Sequence, residues 1–464
     1  PGRVGGGLAF SEEAFDEALK KLSATGWLEC DRDADTYYLH NLIAEVVRDL
    51  HQPTYARYQR IADILEAILD SDELVLGDKI PYLPYAQSLA QRLDAPELAG
   101  LCLSAGERYK DVGNLQLAAW FFQTAQVKYA ALGNAYWEAA MHQKLGDVQL
   151  ALGKMNDAMT HFQAFETGFE KLHAEDPHSE RLKNGLAISY ERLGELWQAK
   201  GDFNQALDYF ERDAALTEEL YQANPHSESL KNGLAISYSK LGDLWQAKGD
   251  FNQALDYFEK YNQLCEELYQ ANPHSESLGY GLAIAYERLG DIWQEKGDFE
   301  KAEDYFEKLK NLCLKLHKAN PIHETIKNEL AISYSKLGDL WQAKGDFNQA
   351  LDYFEKYNQL CEELYQANPH SESLKNGLAI SYSKLGELWQ AKGDFNQALE
   401  YFERETVLFE ELYQANPHSE SLKNGLAISY AKLGELWQAK GDFNQALDYF
   451  EKYNQLCEEL YQAN

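Results

Sequence analysis

A 48-residue unit repeats along most of this 464-residue chain. Its clearest copy runs from Asn224 to Ala271 and reads NPHSESLKNGLAISYSKLGDLWQAKGDFNQALDYFEKYNQLCEELYQA. The Asn-Pro pair that opens it returns at Asn272, Asn320, Asn368 and Asn416. A fixed period of this length means that each unit is one supersecondary element that buries its apolar face only against its neighbours. The chain is therefore predicted to form an all-α solenoid.

Composition limits the class of partner. Hydrophobic residues make up 45% and aromatic residues 13% of the chain, which is enough for a folded core. The formal net charge is −32, from 43 basic and 75 acidic residues, and the acids are distributed through the repeats. Phosphate binding needs a clustered basic surface, so nucleic acid and anionic membrane are not expected partners. We expect a protein or peptide partner that is basic or neutral.

Cysteine usage bears on the compartment. Four of the six cysteines occupy one position of the repeat: Cys265, Cys313, Cys361 and Cys457. Thr217 and Phe409 fill that position in other copies, so it favours a modest apolar side chain rather than a thiol. Helices stacked about 10 Å apart cannot bring these sulfurs within bonding distance, which predicts free thiols and a reducing, cytoplasmic location. The sequence contains no apolar run of about 18 residues, so no membrane-spanning helix is predicted.

The first 95 residues do not follow the repeat. Residues 1–7 predict a flexible lead, either the edge of a longer protein or a cloning remnant. Residues 8–52 predict a helix, one β-hairpin and a second helix, an order typical of part of a winged-helix domain. Residues 53–95 predict a connecting pair of helices.

The string TGWLECDRDADTYYLHNLIAEVVRDL resembles the end of the winged-helix domain of bacterial STAND NTPases of the NB-ARC (AP-ATPase) type. Leu39, His40, Leu42 and Ile43 match the pattern that leads into tetratricopeptide repeats in that family. The resemblance implies that His40 senses the nucleotide state, although an ordinary histidine at a helix entry explains it as well. No GxxxxGK[ST] phosphate loop is present, so ATP, where used, would bind in a module before residue 1.

Residues 96–131 resemble an ordinary 34-residue tetratricopeptide repeat (TPR). The matching positions are Gly106, Tyr109, Gly113, Ala118, Phe122 and Ala125. Seven elongated units follow in residues 132–464, and in the copy quoted above the TPR consensus is matched at Leu241, Gly242, Trp245, Gly249, Ala254, Tyr257 and Phe258. The resemblance implies a right-handed superhelix of helix-turn-helix repeats.

The extra residues of the long unit predict two helices of about 20 residues each. Asn224 is expected to cap the first helix, with Pro225 in its first turn. Gly249 is expected to end that helix in the left-handed conformation, and Asp250 to cap the second helix. The recurring tryptophans and tyrosines, such as Trp245 and Tyr238, are interpreted as core residues.

In TPR arrays the first helix of each repeat lines the concave groove, and the resemblance implies that the residue after the signature glycine faces into it. Every long unit has an acid there: Asp147, Glu195, Asp243, Asp291, Asp339, Glu387 and Glu435. A glutamine follows three residues later in the last six units, at Gln198, Gln246, Gln294, Gln342, Gln390 and Gln438. These columns predict an acidic, hydrogen-bonding groove for a basic or amide-rich protein segment. The alternative is that they are solvated residues copied by duplication.

No metal site or catalytic set is predicted. The recurring histidines (His178, His226, His274, His370 and His418) occur once per unit, whereas metal ligands must converge within about 2.1 Å of the ion. No nucleophile, base and orienting residue occur at a recognisable spacing, so this chain is not predicted to be an enzyme.

The unit from Pro273 to Ala319 diverges most, with Gly279 and Tyr280 in place of Lys-Asn, which marks either a contact point or drift. The last unit lacks a polar capping helix, which predicts self-association at that end.

Together these features predict the sensor region of a bacterial STAND-type signalling NTPase. A protein or peptide captured along the groove would shift the winged helix against the NTPase module and relieve autoinhibition. By resemblance, such proteins often serve in antiphage defence or in regulated transcription. Two other classes stay open, a passive TPR scaffold for complex assembly and a transcription regulator that uses the winged helix.

Overall fold

The structure is a computed structural model that describes residues 28–31, 36–39 and 54–463. In the two strands and at residues 462 and 463, only the backbone is described. The predicted flexible lead, the two helices predicted beside the hairpin, and His40 lie outside the described residues. The chain divides into two compact units, residues 1–216 and 217–464, and each is described by itself.

Two short strands precede the helices. β1 (Leu28–Asp31) and β2 (Thr36–Leu39) pair antiparallel, with Leu28 opposite Leu39 and Asp31 opposite Thr36. Two strands alone do not define a winged helix, so that assignment stays a prediction. From Thr54 to Ala463 every regular element is helical.

Three helices lead into the array: α1 (Tyr55–Asp70), α2 (Leu76–Lys79) and α3 (Leu83–Arg92). They are followed by α4 (Ala99–Asp111) and α5 (Leu115–Ala131), which form the 34-residue repeat. The ammonium of Lys128 on α5 is buried and donates to the backbone carbonyls of Leu93 (3.5 Å) and Ala95 (3.0 Å). This contact attaches the segment after α3 to the first repeat.

Seven further repeats, numbered 1 to 7, each consist of a helix A and a helix B. In chain order the pairs are α6 (Ala135–Ala151) and α7 (Met155–Glu175); α8 (Glu180–Ala199) and α9 (Phe203–Ala223); α10 (Glu228–Ala247) and α11 (Phe251–Ala271); α12 (Glu276–Glu295) and α13 (Phe299–Ala319); α14 (Glu324–Ala343) and α15 (Phe347–Ala367); α16 (Glu372–Ala391) and α17 (Phe395–Ala415); α18 (Glu420–Lys440) and α19 (Phe443–Ala463). Repeats 2 to 7 have helices of 20 or 21 residues, as predicted. Repeat 1 is elongated only in helix B, because its helix A has 17 residues.

The start of helix A corrects one sequence expectation. In repeat 3 the helix begins at Glu228, and Ser227 is its cap, since its hydroxyl accepts from the Leu230 amide at 3.3 Å. Asn224 instead opens a β-turn in which its carbonyl accepts from the Ser227 amide at 3.1 Å. A proline at the second position of such a turn has a suitable φ without being helical. Asn224 therefore follows directly on the preceding helix, where its amide donates to the Leu220 carbonyl at 3.1 Å, and does not cap helix A.

The turn between helix A and helix B follows the sequence prediction. Gly249 has φ +79°, and its amide donates to the Gln246 carbonyl while the Asp250 amide donates to the Trp245 carbonyl. These two bonds are the Schellman pattern, which needs a left-handed residue at the glycine position. The Asp250 carboxylate then accepts from the amides of Asn252 (3.2 Å) and Gln253 (3.1 Å) and caps helix B.

The core of a repeat lies where its two helices cross. Phe258 and Ala254 are fully buried there, and the ring of Phe258 occupies the space beside Gly242. Of the recurring aromatic residues interpreted as core, Tyr190 and Tyr430 are buried, whereas Trp245 and Tyr238 are only half-buried. Trp245 is half-buried against Lys248, 4.8 Å from its ring, and Tyr238 is half-buried with its hydroxyl donating to Glu218 at 2.6 Å. Both side chains nevertheless pack against the apolar cluster that contains Phe258 and Ala254.

The described cysteines are free, and Cys265, Cys313 and Cys361 are buried. Burial raises the pKa of each of these three thiols to about 12, so they are protonated and unreactive at neutral pH. Within the described part of the chain, no helix combines the length and the apolar character needed to cross a membrane.

Candidate functional site

The solvent-facing side of helix A presents a pattern of side chains that recurs from repeat to repeat. In repeat 3 the side chains on this side are Asn232, Ile236, Ser239, Asp243 and Gln246, which are exposed or half-buried and spaced by three or four residues. We call the corresponding side of helix A in repeats 3 to 7, which all lie in the second unit, the helix A face. It contains the members of the acidic and glutamine columns from these repeats, together with an isoleucine column at residues Ile236, Ile284, Ile332, Ile380 and Ile428.

The isoleucine column is the apolar part of this face. Ile236, Ile380 and Ile428 are 41%, 39% and 45% exposed. A single exposed apolar residue on a protein surface needs no explanation, but one at the same place in successive repeats forms a patterned surface. In the second unit an asparagine lies one helical turn before each of these isoleucines, at Asn232, Asn376 and Asn424. The face therefore offers apolar contact beside amide hydrogen-bonding groups.

The acidic column is paired with cations of the following repeat. Asp291 Oδ2 of repeat 4 lies 2.7 Å from the ammonium of Lys336 in repeat 5, which is 45 residues later. We call this series of pairs the inter-repeat ladder. Its other described members are Glu107–Lys144 (2.7 Å), Asp147–Arg192 (3.5 Å), Asp243–Arg288 (3.2 Å), Asp339–Lys384 (2.7 Å) and Glu387–Lys432 (2.7 Å).

These ion pairs change the interpretation of the acidic column. Burial raises the pKa of Asp243 and of Asp291, and the facing cations oppose that rise. Burial alone would lower the pKa of Lys336, but Asp291 and Glu287 outweigh it and raise the pKa. Most acids of the column, namely Asp147, Asp243, Asp291, Asp339 and Glu387, are thus balanced by a base of the next repeat. The column is an alternating strip of charges rather than a bare negative surface.

The remaining predicted groove residues have different surroundings. Glu195 contacts Arg192 of its own helix at 3.0 Å, and Glu435 in repeat 7 is exposed. Gln246, Gln294 and Gln342 are half-buried, and within the described part of the chain their side-chain amides have no hydrogen-bond partner. These three glutamines therefore keep donors and acceptors for a partner.

Repeat 4 departs from the others on the same face. Tyr280 stands where the neighbouring repeats have asparagine, and it is 38% exposed. The Lys–Glu pair that joins helices A and B in repeat 3, Lys231 with Glu267 at 2.7 Å, becomes Gly279 with Lys315. Lys315 is 3.1 Å from the Tyr269 hydroxyl of the preceding repeat. The divergence therefore alters contacts as well as sequence.

Sequence reasoning missed two buried carboxyl groups. Glu329 in repeat 5 replaces the glycine of repeats 2, 3, 4, 6 and 7, and Glu405 in repeat 6 replaces the tyrosine of repeats 3, 5 and 7. Burial raises the pKa of both to about 7, with Glu287 adding to the rise at Glu329. Glu405 lies 3.4 Å from the Lys432 ammonium, which lowers its pKa in part. The signal that could have found Glu329 is a charged residue at a repeat position that is otherwise uncharged, whereas the position of Glu405 is also acidic in repeat 2, at Asp213.

Repeat 1 contains a histidine pair that was also missed. His142 and His161 occupy the positions of Tyr190 and Tyr209 in repeat 2, and their Nδ1 atoms are 3.1 Å apart. Burial lowers the pKa of both imidazoles, so the pair resists protonation. Among the described residues no three His, Cys, Asp or Glu side chains come together in a way that could hold a metal ion. The five histidines that recur once per unit are exposed.

Two segments of the chain match known repeat families. Residues 186–227 and 281–356 match tetratricopeptide repeat family models. The chain therefore contains tetratricopeptide repeats. Such repeats form a helical protein-interaction fold that is typically non-catalytic. The matched residues amount to less than half of the chain.

Solved structures match this chain to different degrees. A signal transduction ATPase with numerous domains (STAND) protein with a tetratricopeptide repeat sensor, from Pyrococcus horikoshii, matches with a TM-score of 0.53 and 15% identity, over 96% of this chain and 59% of that chain. BtubC from P. vanneervenii matches with a TM-score of 0.44 and 19% identity, over 56% of this chain and 92% of that chain. The apo form of RapI matches with a TM-score of 0.45 and 11% identity, over 70% and 99%. None of the curated proteins is significantly similar in sequence.

Proposed function

We propose that this chain is the sensor region of a bacterial STAND-type signalling NTPase and that it captures a protein or peptide ligand on the helix A face. The observation that carries the binding part is the column of exposed isoleucines beside asparagines. The signalling part is supported by the resemblance of residues 8–52 to a STAND winged helix. The fold likeness to the Pyrococcus horikoshii protein, which is described as a STAND protein with a TPR sensor, agrees with it.

The ladder refines the proposed ligand. Because most acids of the column are balanced by a base of the next repeat, a strongly basic ligand would have to compete with existing ion pairs. The apolar isoleucines and the unpartnered amides of Gln246, Gln294 and Gln342 favour a ligand with apolar side chains and an accessible backbone. We therefore propose a neutral or mildly basic protein segment, in a cytoplasmic setting that suits the free thiols.

In this proposal, ligand binding relieves autoinhibition by population shift. A ligand shifts an equilibrium only by its difference in affinity for the two states, so the segment must contact residues whose arrangement changes. The NTPase module that would bind ATP lies outside this chain. A role in antiphage defence or regulated transcription is part of the same proposal and follows from the family resemblance alone.

Affinity capture with the full chain tests the binding part. The variant combines Ile236→Asn, Ile380→Asn and Ile428→Asn, which remove the exposed apolar column without touching the buried core. A matched control, Val127→Asn, changes an exposed valine in the first unit. We expect proteins that the unaltered chain and the control retain to be lost from the triple variant. Equal retention by all three chains would contradict the helix A face as the binding site.

A passive scaffold is the second candidate, and the inter-repeat ladder favours it, because ion pairs between successive repeats hold them in one arrangement. Hydrogen exchange separates the two functions. A sensor requires that a ligand bound to the repeats changes amide protection in residues 28–70, whereas a scaffold predicts protection only at the contact itself.

A further inference from the structure

A cavity in the second unit is not part of the helix A face. It has a volume of about 720 Å³ and lies between α15 of repeat 5 and the two helices of repeat 6, α16 and α17. Its apolar lining includes Leu378, Val407 and Leu408, with the ring of Tyr365 beside them. This volume is within the range of about 300–1,000 Å³ typical of ligand pockets.

The cavity and the isoleucine column are on different sides of helix A. Leu378 and Tyr382 line the cavity, and they lie two residues before and two residues after Ile380. At about 100° per residue, each of them is about 160° around the helix from Ile380. A ligand in this cavity would therefore leave the helix A face free.

One substitution in repeat 6 makes the cavity wall apolar. Val407 stands where repeats 3, 5 and 7 have glutamine. Each of those glutamines donates its side-chain amide to the glutamate four residues later: Gln263 to Glu267 (3.2 Å), Gln359 to Glu363 (3.0 Å) and Gln455 to Glu459 (3.4 Å). Val407 cannot make this bond and is 51% exposed. The result is an uncovered apolar side chain at the cavity edge.

The rim of the cavity is acidic. Glu362, Glu400 and Glu403 line it, together with the single base Arg404. The Arg404 guanidinium donates to Glu400 at 2.6 Å, and Glu362 accepts from the Tyr382 hydroxyl at 3.1 Å. Glu403 is exposed and, within the described residues, forms no hydrogen bond or ion pair. Its charge is therefore available to a ligand.

We propose that this cavity is a second binding site, which takes a basic protein segment with one aliphatic or aromatic anchor side chain. The anchor packs against Val407, Leu408 and Leu378, and a lysine or arginine of the same segment pairs with Glu403. Glu400, Glu403 and Val407 are exposed along α17, so the site is open enough for a continuous peptide backbone to pass. Charge complementarity identifies the occupant: three carboxylates face one guanidinium, on a chain with a net charge of −32. This site does not depend on the function proposed above.

Fluorescence anisotropy with a labelled peptide of alternating lysine and leucine, at physiological salt, tests the site on the full chain. The key variant is Val407→Gln, which restores the residue of repeats 3, 5 and 7 and is therefore expected to fold. It should weaken binding at least about fivefold, which corresponds to loss of about 1 kcal/mol. The matched control is Val127→Gln, a 65% exposed valine in α5, which should bind as the unaltered chain does.

Two further measurements distinguish the site from general attraction between opposite charges. Glu403→Gln should also weaken binding, and a peptide in which serine replaces leucine should lose the difference between the unaltered chain and Val407→Gln. Unchanged affinity of Val407→Gln for the lysine–leucine peptide would overturn the proposal. So would equal binding of the serine and leucine peptides, because the apolar wall would then contribute nothing.

Discussion

The ring of Phe258 occupies the space into which a side chain at Gly242 would project: a Cβ built on Gly242 would lie 2.4 Å from Phe258 Cε1. The same relationship recurs 16 residues apart in every long repeat, as in Gly290 with Phe306 and Gly338 with Phe354. It sets how closely helices A and B approach, because no heavy-atom contact of that length is tolerated.

The first prediction concerns this close approach. Gly242→Ala should destabilise the chain by about 1–3 kcal/mol, because the new methyl group displaces a fully buried ring. Gly233→Ala is the matched control in the same helix, since nothing lies within 4 Å of the Cβ position there. It should be neutral or stabilise by up to about 1 kcal/mol, through the higher helix propensity of alanine. Urea denaturation measures both, and equal effects would refute the packing argument.

The second prediction concerns pH. The folded chain raises the pKa of Glu329 to about 7, above its ordinary value of 4.5. Its contribution to stability is therefore present at low pH and is lost as pH rises from about 4.5 to 7. Glu329→Gln removes the free-energy cost of ionising this buried carboxyl group. The substitution should therefore raise the free energy of unfolding at pH 8, relative to its effect at pH 4.5, by roughly 1–3 kcal/mol. Chemical denaturation at the two pH values measures this difference.

The control for that experiment is Glu211→Gln, which changes an exposed carboxylate in the first unit. Because this side chain is exposed, we expect a smaller difference between the two pH values than for Glu329→Gln. A Glu329→Gln variant that behaves like this control would show that Glu329 is ionised in the folded chain at neutral pH.

The third prediction concerns the inter-repeat ladder. Lys336→Met leaves the half-buried carboxylates of Asp291 and Glu287 without their cation and should destabilise the second unit by about 1–3 kcal/mol. Lys260→Met breaks the more exposed pair with Asp256 and should cost less than about 0.5 kcal/mol. Thermal and urea unfolding compare the two variants. If the two losses are similar, the ladder is not a structural contact in solution.

The fourth prediction concerns thiol reactivity. Cys313 and Cys361 are buried and their pKa is raised to about 12, whereas Cys457 is only half-buried. Iodoacetamide at pH 8 should therefore label Cys457 much faster than the other two, because the thiolate is the reacting form. Peptide mass spectrometry at successive times gives the rate at each site. Fast labelling of Cys313 in the folded chain would contradict its burial.

Local features of the repeat were predictable because each depends on residues close in sequence. The left-handed turn at Gly249, the cap at Asp250 and the helix lengths all follow from short patterns. The cap of helix A was misassigned because Asn224 and Ser227 are both good caps, and only the hydrogen bonds distinguish a turn residue from a cap. The choice between them depends on backbone geometry that a sequence pattern does not contain.

Contacts between repeats were not predictable in the same way. Asp291 and Lys336 are both visible in the sequence, but their pairing depends on how far one helix is rotated and shifted against the next. The sequence does not give this rotation and shift, so the acidic column was interpreted as a surface without paired cations. The cavity beside Val407 has the same origin, since it is lined by residues of two repeats. For the Asp291–Lys336 pair, the useful sequence signal was a spacing close to one full repeat. For the cavity, it was the departure of Val407 from the repeat pattern.

The inter-repeat ladder has a consequence for how such genes change. Its rungs in the long repeats join positions 45 residues apart, while the unit itself recurs every 48 residues. Deleting one whole unit, such as residues 324–371, would place Lys384 where Lys336 had been, opposite Asp291. Recombination between near-identical copies can therefore shorten or lengthen the array without creating a mismatched junction. Glu329 and Val407 each occur in a single repeat, so the loss of that repeat removes the local feature while the ion pairs between the remaining repeats are kept.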